Sequence, residues 1–433
     1  MPAVLADLSI EARWIVPMSM PGRVLENHTL VVRDGRILDL LPSADAVLRY
    51  AATARVPRPQ HLLMPGMVNA ATHAAMTLFR GTPTGAVSPL AASYEPRPIG
   101  AEFVRVGVLV AIAEMLTSGV TSFADRYYFP EVTARTAGEQ GMRAVIGMPV
   151  TETSNPWAAS AADCLTKSLS VRDEYKGHPL ISTIFAPHGP NSLSDADFTR
   201  IATLSDELDA GIMIDLHESA AEIAASIARY GMRPIERLWQ LGLLTPSLNA
   251  VHMAHATAAD AALAQRTGIA ITLCPQSNLK QAGVLPPAAT FAASAIRLGL
   301  GSGGGTPCQN LGIWGEMKLL AQMCCAGQAP LSAWDALAMA TRGGAAVLGL
   351  DADVGTLEPG RWADLCCVDL GGPATQPVGD PVTQLVFCGS RDMVSDVWVA
   401  GRQLLADGEL TRLDWRAAAE RAGAWAVRLN TGE

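Results

Sequence analysis

Apolar runs alternate with polar turns at both ends of the chain, whereas the middle alternates apolar runs with segments of helical periodicity. Near the N-terminus, Asp34-Gly35 separates two apolar runs and predicts a β-hairpin. From Gly66 to about Gly349, runs such as TSFAD, RAVIGMPV, IMIDLHE and NAVHMAH end in polar residues and lead into helical patterns. This alternation predicts a parallel α/β fold, and we favour a (β/α)8 barrel over an open sheet.

The β pattern returns after Gly349, in GTLEPGRWADLCCVDL and SDVWVAGRQLL. We therefore expect the two ends of the chain to form one small composite β-sandwich domain beside the barrel. The predicted boundaries are 1–62 for the first part of the sandwich, 63–352 for the barrel, 353–412 for the second part and 413–433 for a C-terminal helix.

Composition and charge exclude several classes of function. The 32 Lys and Arg residues are outnumbered by 41 Asp and Glu and form no basic cluster, which argues against nucleic-acid binding. The longest apolar stretch, Val106 to Val120, contains Glu114 and is shorter than the ~20 residues of a membrane-spanning helix. Charged residues early in the chain argue against a signal peptide, and eight cysteines without a CxxC motif fit a reducing compartment. We expect a cytoplasmic protein with no membrane contact.

Several motifs resemble the amidohydrolase superfamily, in its branch of methylthioadenosine and S-adenosylhomocysteine deaminases and triazine hydrolases. They follow one another in the family's order over essentially the whole chain: MPGMVNAATHAAMTLFRG, APHGPNSLSD, DLHESAAEI, NAVHMAH, CPQSNLK and GTLEPGRWADL. The resemblance implies a (β/α)8 barrel with a composite β-sandwich domain. It also implies a homodimer that acts on a small molecule.

In that family a divalent metal is held by an HxH motif, a His on the fifth strand and an Asp ending the eighth. The matching positions here are Ala71, His73, Asp215 and Gly303, of which Ala and Gly have no side-chain donor. Because a catalytic zinc needs about three protein ligands, we predict no metal site and no cofactor. Zinc remains an alternative if His73, Asp215 and His217 converge, since alternation along a strand places residues 215 and 217 on one face.

Other positions match the family's reacting residues. The resemblance implies that Glu218 is the general acid/base and that His252 polarises the nucleophile, and it implies contacts of His188 with substrate and of Glu95 with ribose hydroxyls. An equally simple interpretation is that these side chains form local hydrogen bonds at strand ends and do no chemistry. The candidate substrate-binding residues are His188, Glu95, His73, Asp215 and His217.

Two features of the segment after the predicted eighth strand leave further alternatives. Cys308 has the position of a nucleophile at the catalytic face, although a small buried thiol is the simpler interpretation. The run Gly301 to Gly305 could present backbone N–H groups to an anion or form a tight turn.

Three functional hypotheses follow. The first is a hydrolase that cleaves a C–N or activated ester-like bond of a nucleoside- or purine-like molecule without a metal, using Glu218 and His252. The second is a non-catalytic protein that binds an adenosine-like ligand or serves as a scaffold for an active homologue. The third is a metal-dependent deaminase of adenosine derivatives with a rebuilt ion site.

Overall fold

The computed structural model describes residues 3–80, 99–303, 310–325 and 331–431. Both ends of the chain contribute to one sheet with the strand order β16-β15-β14-β13-β4-β1-β2-β3. Its strands are β1 (Val4–Ile15), β2 (Leu25–Arg33), β3 (Arg36–Pro42), β4 (Tyr50–Pro65), β13 (Leu365–Asp369), β14 (Val394–Val399), β15 (Arg402–Ala406) and β16 (Glu409–Leu410).

Strand pairing explains how the two ends of the chain meet. Strand β13 pairs antiparallel with the end of β4, from Leu365 opposite Pro65 to Asp369 opposite His61. The predicted hairpin is confirmed: Asp34 and Gly35 join β2 to β3 with φ angles of 54° and 74°. The predicted second domain, built from both termini, is therefore present.

The second sheet is the barrel, with the strand order β12-β11-β10-β9-β8-β7-β6-β5. Its strands, all parallel where they pair, are β5 (Met67–Thr72), β6 (Val120–Arg126), β7 (Arg143–Val150), β8 (Ile181–Pro187), β9 (Ile212–Leu216), β10 (Leu248–His252), β11 (Ala270–Leu273) and β12 (Arg297–Leu300). Asn69 joins the first strand to the end of the last, because its Nδ2 donates to Ser302 Oγ (2.9 Å) and its Oδ1 accepts from Ser302 N (3.0 Å). The predicted (β/α)8 barrel is confirmed.

Helices follow most barrel strands, as the periodicity of the middle region predicts. The α-helices are α1 (Ser43–Arg49), α2 (Ala101–Thr117), α3 (Pro130–Gln140), α4 (Ala161–Tyr175), α5 (Asp195–Leu208), α6 (Ala220–Tyr230), α7 (Pro234–Gln240), α8 (Ala258–Thr267), α9 (Pro275–Ala282), α10 (Ala288–Ala293), α11 (Trp314–Cys325), α12 (Ala333–Ala338), α13 (Gly344–Val347), α14 (Pro381–Cys388) and α15 (Trp415–Thr431). Short 3₁₀ turns cover Ala74–Phe79 and Arg391–Met393, and a π turn (Met339–Gly343) links α12 to α13. No helix in these described ranges is both long and apolar enough to span a bilayer.

Burial explains why the barrel strands are apolar along their whole length. Every residue of β6 and β7 is buried, because parallel strands are covered by helices on one face and by the barrel interior on the other. A buried ion pair connects the two sheets: Arg143, which begins β7, binds both carboxylate oxygens of Asp364, just before β13 (2.8 and 3.0 Å). The helix α15 packs on the barrel through an edge-to-face contact between Trp425 and Phe103, with ring centroids 5.4 Å apart.

Candidate active site

A cluster of Asp215, Glu218 and His252 lies at the carboxyl ends of β9 and β10. In the parallel register Val251 is opposite Asp215 and His252 is opposite Leu216, so the three side chains come from adjacent strand ends. His252 Nε2 lies 3.4 Å from Asp215 Oδ1 and 3.5 Å from Glu218 Oε1. Since both neighbours are acceptors, Nε2 carries a proton and faces two carboxylates.

Exposure differs sharply within the cluster. The side chains of His252 and Asp215 are 5% and 10% exposed, whereas Glu218 is 31% exposed. Glu218 is therefore the member of the cluster that is most exposed to solvent. The backbone is left-handed at His217, His252 and Met253 (φ of 51°, 77° and 51°), and non-glycine residues adopt such angles mainly where the surrounding structure imposes them.

Asn278 faces the other nitrogen of the His252 ring. Its Nδ2 lies 3.0 Å from His252 Nδ1, and Asn278 itself is 1% exposed. An amide can donate to a neutral imidazole or, turned over, accept from an imidazolium, so it fixes the ring's orientation in either protonation state. Asn278 is thus a positioning residue for His252.

Arg126, the last residue of β6, forms a buried ion pair with Asp215. Its Nη2 donates to Asp215 Oδ1 at 2.6 Å, and the two side chains are 5% and 10% exposed. Burial by itself raises the pKa of Asp215, but the Arg126 guanidinium and His252 outweigh burial and hold this pKa below a carboxyl group's ordinary range. Asp215 is therefore a carboxylate at neutral pH.

His73 lies between β5 and the 3₁₀ turn that begins at Ala74, and its Nδ1 donates to the backbone carbonyl of Arg126. Burial, with the nearby Arg126 charge, lowers the pKa of His73 to about 3, so the ring is neutral. Asp125 holds this turn, because its Oδ1 accepts from Ala74 N (2.6 Å) and Thr72 Oγ1 (3.1 Å). Burial raises the pKa of Asp125 to about 6.

His217 does not join His73 and Asp215, which corrects the set predicted for a rebuilt zinc site. Its Nε2 accepts from Ile235 N (3.3 Å), and its Nδ1 lies 3.6 Å from Asp260 Oδ2. The physical reason is that β9 ends at Leu216, so the alternation that would place residues 215 and 217 on one face stops before His217. Burial lowers the pKa of His217 to about 4.

The structure describes some of the remaining predicted residues. His188 is exposed and follows β8 at the same end of the barrel, near Asp215 and His73. Gly303 has φ of 74°, and a Cβ there would lie 2.8 Å from Ser277 Oγ, so a side chain at this position requires Ser277 to shift. Glu95, Cys308, Gly304 and Gly305 lie outside the described residues.

The donor chemistry tests whether these residues suit the divalent metal that the fold family implies. Among the described residues, Asp215, Glu218 and His252 are the group whose ligand atoms lie within 4.8 Å of one another. Zinc accepts carboxylate and imidazole ligands. However, Asp215 Oδ1 already accepts from the Arg126 guanidinium, and an ion on that oxygen would lie against a fixed positive charge. With this arrangement the cluster does not suit a divalent ion.

Sequence reasoning missed three residues of this region. Arg126 could have been noticed as a charge that ends the apolar run TSFAD, and Asn278 as a polar residue after β11. Glu222 belongs to the capping pattern Ser219-x-x-Glu222, but its Oε1 accepts from His217 N at 2.7 Å. Burial and the nearby Glu218 raise the pKa of Glu222 to about 8.

Comparison with known proteins agrees with the fold and the strand-end motifs. The sequence pattern of the amidohydrolase family matches residues 62–404. The chain is 38% identical over 433 aligned residues to a 5-methylthioadenosine/S-adenosylhomocysteine deaminase of Teredinibacter turnerae, with 98% of each chain covered. It is 37% identical to the protein of that name from Saccharophagus degradans, covering 98% of this chain and 97% of the relative.

A solved structure is similar over its whole length. The crystal structure of an adenosine deaminase from Xanthomonas campestris with bound zinc superimposes with a TM-score of 0.96 and 38% identity, covering 99% of this chain and 100% of that one. A triazine hydrolase variant, at 20% identity and a TM-score of 0.89, shares the fold. The family match, the full-length relatives and the barrel with its strand-end cluster lead to one conclusion: the chain belongs to the amidohydrolase family.

Proposed function

We propose that the chain is a hydrolase that cleaves a C–N bond of a small adenosine-like nucleoside without a catalytic metal, with Glu218 transferring the proton and His252 assisting this transfer by orienting Glu218. The substrate class comes from the full-length relatives named as deaminases of 5-methylthioadenosine and S-adenosylhomocysteine. One observation carries the assignment of residues: Glu218 Oε1 lies 3.5 Å from the buried His252 Nε2 and is itself accessible to a ligand.

The proposed chemistry follows from this geometry. Glu218 takes a proton from water as the water oxygen bonds to the ring carbon that carries the amino group. The protonated Glu218 then gives this proton to the departing nitrogen as the C–N bond breaks. The Nε2–H group of His252 points towards Glu218 Oε1 and orients the Glu218 carboxylate. On the opposite side of the ring, Asn278 Nδ2 contacts His252 Nδ1 and fixes the orientation of the imidazole. Asp215 stays ionised and paired with Arg126.

The absence of donors at two ligand positions limits the substrates that this site can attack. Ala71 and Gly303 offer no side-chain donor, and general acid–base catalysis alone contributes ~10²–10⁴-fold. We therefore expect the best substrate to carry an activated electrophilic carbon, and the adenine amine of adenosine, 5-methylthioadenosine and S-adenosylhomocysteine to be converted slowly, over long incubation. We also propose that the chain forms a homodimer, that it acts in the cytoplasm and that its partner is a small molecule.

Mass spectrometry of adenosine, 5-methylthioadenosine and S-adenosylhomocysteine after incubation with the purified chain tests the proposal. We expect conversion of an amine to a hydroxyl. A chelator should leave the rate of this conversion unchanged, and Glu218→Gln should lower the rate by at least ~100-fold. The matched control is Glu207→Gln, which changes an exposed glutamate of α5 and should keep full activity. Equal activity of Glu218→Gln and the control would contradict the assignment of Glu218.

A second candidate function is reversible binding of the nucleoside without turnover. The ion pair between Asp215 and Arg126 favours it, because a site whose charges are already paired can be held as a stable shape without reacting. Calorimetric binding of an adenosine-like nucleoside, with no product after long incubation, would support this candidate over the hydrolase.

A further inference from the structure

Arg126 contacts both residues that remain at the ligand positions of the family pattern. Its backbone carbonyl accepts the Nδ1 proton of His73, and its Nη2 donates to Asp215 Oδ1 at 2.6 Å. The Arg126 side chain is 5% exposed, and its Nε makes no hydrogen bond to a described residue. A guanidinium buried to this degree needs an opposite charge beside it, which Asp215 supplies.

The charges around this pair explain why a cation is needed there. Asp215 and Glu218 place two carboxylates within hydrogen-bonding or near-contact distance of one imidazole nitrogen. The Arg126 charge also acts on Glu218 through space. A guanidinium on β6 thus supplies, as a covalently attached group, the positive charge that two neighbouring carboxylates require.

We propose that the Arg126 guanidinium is the resident cation of this site and excludes a divalent metal from the cluster of Asp215, Glu218 and His252. A dipositive ion on Asp215 would displace the guanidinium from its 2.6 Å contact and leave it buried without a partner. Because this proposal concerns ion binding, its test does not depend on whether the chain hydrolyses a nucleoside.

The test is zinc binding, measured by calorimetry and by metal analysis after dialysis, with Co²⁺ absorption as a report of tetrahedral coordination. Five proteins are compared: the wild type, Arg126→Met, Arg126→Lys, His252→Asn, and Arg126→Met combined with His252→Asn. Methionine removes the charge at similar length, and lysine is the matched control that keeps it. The double variant removes one ligand atom of the cluster, so it separates binding at the cluster from binding elsewhere on the surface.

We expect Arg126→Met to bind about one zinc ion with an affinity at least ~100-fold above that of the wild type and of Arg126→Lys. This gain should disappear in the double variant. Stoichiometric zinc in the wild type that His252→Asn removes would overturn the proposal, and this arm does not depend on whether Arg126→Met folds. A folded Arg126→Met that gains no zinc would overturn it as well.

Discussion

The ion pair between Arg143 and Asp364 gives the sharpest prediction about stability. Arg143 Nε and Nη2 bind the two carboxylate oxygens at 2.8 and 3.0 Å, and the side chains are 5% and 1% exposed. Asp364 Oδ1 also accepts from Ala400 N (2.8 Å), and Arg143 Nη1 donates to Pro179 O (3.0 Å). This pair connects the first residue of a barrel strand to the sheet formed by the chain ends.

Replacing Arg143 by methionine leaves a buried carboxylate whose remaining partner, among the described residues, is the Ala400 N–H. Removing one member of a buried ion pair typically costs about 3–5 kcal/mol of unfolding free energy. The double variant Arg143→Met/Asp364→Asn has no unpaired charge, so its loss should be smaller than the sum of the single losses by about 2 kcal/mol or more.

The assay is urea unfolding followed by circular dichroism for the wild type, the two single variants and the double variant. The matched control is Arg105→Met, because Arg105 and Glu139 form a pair of 3.0 Å whose side chains are 37% and 42% exposed. Such exposed pairs contribute about 0–1 kcal/mol. If Arg143→Met shifted the unfolding midpoint no more than Arg105→Met, the energetic importance of burial at this pair would be refuted.

Two further predictions concern the site. His73 has a pKa of about 3 in the folded chain against about 6.5 when unfolded, so the unfolded state gains a proton first as the pH falls. The free energy of unfolding of the wild type, relative to His73→Asn, should therefore drop by about 2 kcal/mol between pH 7 and pH 5 in urea titrations, and a constant difference would contradict the burial of a neutral ring. Asn278→Leu leaves His252 Nδ1 without its partner at 3.0 Å, so steady-state kinetics should show a lower kcat with KM little changed. A higher KM with unchanged kcat would instead indicate a role of Asn278 in binding.

The sequence is sufficient to predict the barrel because the same pattern of apolar and polar positions is repeated along the chain. Each apolar run is followed by polar residues and a helical pattern, and in a parallel barrel all such polar strand ends meet at one face. Glu218 follows β9 and His252 ends the adjacent β10, so their closeness was predictable once their strands were identified, and Asp215 shares their end of the barrel. The two predicted catalytic residues accordingly lie in contact distance.

The features that the sequence did not predict depend on where strands end and on contacts between residues far apart in the chain. His217 contacts Ile235 and Asp260 because β9 ends at Leu216, and no local residue in DLHESAAEI marks that position. The pairing of Arg126 with Asp215 joins residues 89 positions apart on strands that are not neighbours in the sheet. An apolar run with one charge at its end predicts a strand, but it does not predict which carboxylate that charge will meet.

The sheet formed from both chain ends has a consequence for protein synthesis. Strand β4 lies between β1 and β13, and its Leu62, Leu63 and Met64, which are fully buried in the finished fold, pair with residues that the ribosome adds about 300 positions later. Because the ribosome adds ~5–20 residues per second, β13 is synthesised roughly 15–60 s after β4. During that time the nascent chain exposes an unpaired apolar strand edge, a feature that recruits foreign strands. The segment is therefore one that a chaperone would shield until the last residues of the sheet emerge.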